Sequence, residues 1–94
     1  MKRLAAAFFA LLVAPSAHAV DFESDAIVRD DERKMGSAIG SMLDTTGYDC
    51  KTISNFRPFF LEPGFLIQCN QYMRKYNIRP SNSGERMWDI EVVR

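Results

Sequence analysis

The chain has 94 residues, 47% of them hydrophobic and 26% charged, and its twelve basic and twelve acidic side chains cancel to a formal charge of zero. Such a length holds one small domain and leaves no room for a second. The balanced charge excludes the strongly basic surface with which nucleic-acid binders gather phosphates, so nucleic acid is not an expected partner.

Residues 1–19 read as a cleavable export signal. Lys2 and Arg3 open it, Leu4 to Ala14 runs apolar without a charge, and Ala17-His18-Ala19 supplies the small-x-small exit. Eleven apolar residues are about half of the roughly 20 that a membrane-spanning helix needs, and Pro15 follows them, so an uncleaved anchor is not expected. No cysteine stands at the cleavage point, which disfavours a lipoprotein. The expected destination is the periplasm or the extracellular medium, with residues 20–94 as a single small domain. That domain is divided in charge: Val20 to Cys50 holds eight acids and three bases, Lys51 to Arg94 seven bases and four acids.

Val20 to Asp25 is polar and acidic and reads as a loose lead-in that docks Phe22. Downstream, Met35, Ala38, Ile39, Met42 and Leu43 recur at the spacing of an amphipathic helix. Ile27 and Val28 extend this stripe upstream, which places the start at Ser24 or Asp25. Asp31 and Glu32 fall on the same face, which places it near Asp30. Both starts put acids at the positive end of the helix dipole. Asp44-Thr45-Thr46-Gly47 reads as the stop, with Gly47 free to turn left-handed. Gly36 and Gly40 each cost about 1 kcal/mol relative to alanine inside a helix, and close approach of the backbone to a sheet is the expected reason.

After Gly47 the period changes from helical to alternating. Tyr48, Cys50 and Thr52 share one strand face, and Phe65, Ile67 and Cys69 share another. The connection between them contains Pro58 and the turn Glu62-Pro63-Gly64. Tyr72 to Arg79 alternates again, with Tyr72, Arg74, Tyr76 and Ile78 on one side. Pro80 to Gly84 has turn composition, and Trp88, Ile90 and Val92 give a last strand one apolar face. The expected class is α+β: one N-terminal amphipathic helix packed on a three- or four-stranded antiparallel sheet. One disulfide, Cys50 to Cys69, is expected to staple a core that is marginal at this size.

Once residues 1–19 are removed the domain has no histidine, because His18 is the only one. Imidazole-based triads and the common zinc sites are then excluded, and a bridged cysteine pair leaves no activated thiol. The spacing of the cysteines is not that of the C-x-x-C oxidoreductases. The phosphate-loop, dinucleotide and calcium-loop motifs are all missing, and the methionines read as core filling, so neither a cofactor nor a metal is expected. Asp89 and Glu91 share a strand face as a candidate carboxylate pair.

Two stretches suggest contact with a partner. Tyr72, Arg74, Lys75, Tyr76 and Arg79 interleave aromatic rings with cations, a pattern that grips polyanions or acidic protein surfaces. Asn55 to Leu61 crowds Phe56, Phe59, Phe60 and Leu61 beside Pro58, more apolar bulk than simple alternation buries. The expected function is an exported binding or inhibitory module without catalytic activity, contacting a protein or an anionic glycan. A small histidine-free hydrolase using Asp89 and Glu91 or a lysine is the alternative from another class, and a structural envelope component is the third. Oligomeric state is left open by the sequence.

A bridge closing a loop of about 20 residues contributes about 3 kcal/mol in the chain-entropy model. Reducing agent is therefore expected to lower the melting temperature by many degrees, as read by circular dichroism. A melting curve unmoved by reductant means that the cysteines are not joined.

Overall fold

A computed structural model of the chain describes residues 19–82 and 87–94. The expected export signal, apart from Ala19, lies outside the described residues, as does the end of the Pro80–Gly84 turn. Five strands and one α-helix follow in the order β1 (Asp21–Ile27), α1 (Arg33–Thr45), β2 (Thr52–Pro58), β3 (Phe65–Cys69), β4 (Arg74–Pro80) and β5 (Trp88–Val93). The strands form one sheet in sequence order, with β1 parallel to β2 and all later pairs antiparallel. The class is α+β, and no helix among the described residues is long and apolar enough to cross a membrane.

The architecture departs from the sequence pattern in two respects. The helix is the second element, not the first, and the sheet is five-stranded and mixed. The stretch taken for a loose lead-in is β1, which pairs Asp21 with Thr52 and Phe22 with Ile53. Asp, Glu and Ser have low strand propensity, so the segment does not look like a strand. Its pairing to β2 outweighs that local preference. Ile27 ends β1 and is exposed, and therefore does not extend the helix. Phe22 does dock, half-buried against the core with the Arg33 guanidinium 5.3 Å from its ring centroid.

The helix begins after a 3₁₀ turn formed by Asp30–Glu32, whose three acids stand at the positive end of the dipole. At its other end Thr45 and Thr46 donate hydroxyl hydrogens back to the carbonyls of Ser41 and Met42, at 3.0 and 2.7 Å, and Gly47 turns left-handed with φ of 100°. The buried face is Gly36, Ile39, Gly40 and Leu43, rotated from the expected stripe. Met35 is 50% exposed and fills no core. The glycines lie at the centre of the contact, because α1 packs directly on β1, β2 and β3. A Cβ on Gly36 would stand 2.7 Å from the Phe22 ring and 3.0 Å from the Phe56 ring, and one on Gly40 2.9 Å from Ile53.

Beneath the helix, Ile53, Phe56, Ile67, Cys69, Tyr76 and Ile78 form the core with Leu43 and Cys50. Cys50 and Cys69 are joined, with Cα atoms 5.1 Å apart, linking the approach to β2 with the end of β3. Phe56 stacks on Phe65 at 5.2 Å, and Phe65 meets Trp88 at 6.4 Å, so aromatic rings run from β2 to β5. In β2, Ile53 pairs with Cys69 and Asn55 with Gln68, leaving Ser54 as an extra residue that kinks the strand.

Gly36→Val forces a branched side chain between two aromatic rings. Overpacking of this kind costs about 1–3 kcal/mol, and the expected result is a lower urea midpoint with an unchanged slope.

Candidate partner-binding surface

Strand parity sorts the residues singled out in the sequence. Phe56 pairs with Ile67, and Ile67 with Tyr76, on the face that the helix covers, so both Phe56 and Tyr76 are buried in the core. The Tyr76 hydroxyl donates to the Asp49 carbonyl at 2.9 Å, and its ring meets Tyr48 edge-on at 5.7 Å. Burial and the Asp49 carboxylate raise its pKa, so it remains a neutral donor. Lys75 and Arg79 point to the opposite, helix-free face, with Gln68 beside Lys75 and Asp89 beside Arg79.

The expected strand from Tyr72 begins instead at Arg74. Asn70, Gln71 and Tyr72 have φ of 59°, 55° and 66°, three successive side-chain-bearing residues in left-handed conformation. A residue so placed costs about 1 kcal/mol or more and persists only where its surroundings impose it. Those surroundings are explicit. The Glu23 carboxylate on β1 accepts from the Gln71 N–H at 2.8 Å, from the Thr52 hydroxyl at 2.7 Å and from the Ser54 hydroxyl at 2.8 Å. Ser54 in turn accepts the Tyr72 N–H at 3.0 Å on its hydroxyl and the Tyr72 O–H at 3.2 Å on its carbonyl. The Asn70 side-chain carbonyl receives the Lys51 N–H at 2.8 Å, which closes the turn against the chain entering β2.

Tyr72 is thus pinned at both its backbone and its hydroxyl, yet it remains 46% exposed. It stands at a hollow of about 690 Å³ that straddles the end of the sheet where β4 begins and β5 ends. Arg74, Lys75 and Arg94 bring three cations to this hollow, Gln68 brings an amide, and Tyr48 and Val92 add apolar wall. Among the described lining side chains Asp49 is the acid, 3.7 Å from the Arg74 guanidinium. Four residues anticipated in the sequence, Tyr72, Arg74, Lys75 and Tyr76, line this hollow at the sheet's end, Lys75 from the helix-free face and Arg74 and buried Tyr76 from the helix side. Glu23, Ser54 and Gln68 were not anticipated. Glu23 lies 48 positions from the backbone it holds, and nothing local marks it.

Arg79 and Phe59 meet elsewhere on the helix-free face, the guanidinium 4.7 Å from the ring centroid. Phe60 projects from the β2–β3 loop. Glu91 accepts from Asn77 and Arg79, each at 3.2 Å, and these bonds hold its carboxyl below the usual range. Neither Asp89 nor Glu91 lines the hollow at Tyr72. No cluster of three or more His, Cys, Asp or Glu side chains suited to a metal occurs among the described residues. Comparison with known proteins finds no family model, no curated protein and no solved structure that matches the chain.

Partial burial of Glu23 opposes its ionisation, but the hydrogen bonds from Thr52, the Gln71 backbone and Ser54 outweigh it and lower the pKa from 4.5. A carboxyl lowered in the folded state adds stability above its unfolded pKa, and this is lost as pH falls through the folded value. Acidification below about pH 4.5 is expected to reduce the urea midpoint of the wild type more than that of Glu23→Gln. Equal acid sensitivity of the two proteins would show that the carboxylate does not hold the turn.

Proposed function

We propose that the chain is an exported, disulfide-stabilised binding module without catalytic activity, which holds an anionic glycan in the hollow at Tyr72. The disulfide fits an oxidising destination, and the apolar leader read in the sequence would take the chain there. One observation carries the choice of ligand. An aromatic ring is fixed in place at the cost of a left-handed backbone, half-exposed, at a hollow whose lining also includes three cations and an amide. A rigid ring offers a flat apolar platform with little conformational entropy left to lose on binding. The cations supply charge for carboxylate or sulfate groups, and the Gln68 amide, whose oxygen accepts from the Asn55 amide at 2.8 Å, can donate its N–H groups to hydroxyls.

Titration calorimetry with heparin, polygalacturonate and neutral dextran tests this reading. Binding is expected for the two anionic polymers and not for dextran, and it weakens as salt is raised. Arg74→Gln and Lys75→Gln each lower affinity several-fold. Tyr72→Ala lowers it about tenfold, whereas Tyr72→Phe, which keeps the ring, retains most of it. Equal binding of dextran, or wild-type affinity in Tyr72→Ala, contradicts the assignment.

A further inference from the structure

At the end of the β2–β3 hairpin remote from the Tyr72 hollow, the chain displays two adjacent large apolar side chains. Phe60 is 87% exposed and Leu61 88%. The loop that carries them is firmly closed. The Phe59 N–H donates to the Gly64 carbonyl at 3.0 Å, the Phe59 ring lies under the Arg79 guanidinium, and Glu62 is 3.5 Å from Arg79. Leu61 has φ of 69°, a conformation that glycine or asparagine adopts at far lower cost. A leucine held there and left 88% exposed among the described residues gives the fold little return for that strain.

We propose that this tip is a second contact site, which dips Phe60 and Leu61 into the interfacial layer of an anionic lipid surface. The proposal is independent of the glycan reading, since the two sites share no residue. Area favours lipid over a protein partner. Two side chains of this kind bury roughly 400 Å², about half of the ~800 Å² per partner of a stable protein interface. A bilayer needs no complementary pocket, and weak apolar insertion there is reinforced by cations at the headgroup level. The tip has them. Among the described residues Arg57 is exposed on the same hairpin, and Arg79 lies over Phe59 while also paired with Glu62 and Glu91, so Arg57 supplies the uncompensated charge.

Flotation of the purified protein with phosphatidylcholine vesicles, with and without phosphatidylglycerol, tests the proposal. A retained leader would also bind lipid, so variants that leave it untouched carry the comparison. The wild type is expected to float with the vesicles containing phosphatidylglycerol. Phe60→Ser and Leu61→Ser each reduce partitioning about tenfold. Leu61→Gly also reduces partitioning while keeping or raising the melting temperature, a combination that loss of structure does not produce. Phe60→Trp, combined with Trp88→Phe, gives a blue-shifted emission on vesicle addition. Failure of the wild type to float, equal recovery from both kinds of vesicle, or a Phe60→Ser variant that floats like wild type overturns the proposal. So does a soluble complex with a partner protein that Phe60→Ser abolishes, because a protein pocket would then be the occupant.

Discussion

The fold turns on how closely α1 lies against the paired strands β1 and β2. Gly36 and Gly40 present no side chain to the sheet, and the rings of Phe22 and Phe56 and the end of Ile53 occupy the space that side chains would need. This contact decides which face of every strand is buried. Once Ile53 and Phe56 point at the helix, register places Ile67, Tyr76 and Ile78 beneath it and turns Gln68, Lys75 and Arg79 outward. A slip of one residue in any strand would exchange the two sets, so the helix contact also governs what the surface offers to a partner.

A second constraint acts on the outer side. Glu23 reaches from an edge strand across β2 to the β3–β4 turn, and Ser54 stands between them because a bulge in β2 places it there. The Glu23 carboxylate takes one backbone N–H, from Gln71 in the left-handed turn, and two hydroxyls, from Thr52 and Ser54. The result is an aromatic ring whose position is set by three separate parts of the chain. The conformational cost of holding this ring is met on folding.

Local patterning carried much of this into view. Helix spacing from Met35 to Leu43, alternation from Phe65 to Cys69 and from Trp88 to Val92, and the separation of the two cysteines all lead to elements that are present. What periodicity conceals is long-range. The segment Asp21–Ile27 has poor strand composition, and only its pairing with residues about 30 positions away makes it a strand. The exact helix face was missed because glycines count as apolar gaps in a pattern, although here they are the centre of the contact. Phe56 and Tyr76 looked like surface residues because the extent of β2 and the start of β4 depend on a bulge and a left-handed turn, and neither has a local composition signal. The cations of the hollow were legible because Arg74 and Lys75 adjoin in sequence. The residues that fix Tyr72 were not, because they come from other strands.

The covalent bond between Cys50 and Cys69 sits at one end of the β2–β3 hairpin, and the Phe60–Leu61 loop sits at the other, roughly 20 Å away along strands of this length. Cys69 immediately precedes the left-handed turn, and Cys50 precedes the backbone N–H groups that hold Asn70. The bond therefore constrains the pole that carries the aromatic ring, and the opposite pole has its own proline-flanked closure. A thiol-rich environment would thus lower the stability of the whole small domain, and the constraint it removes lies at the ring's pole.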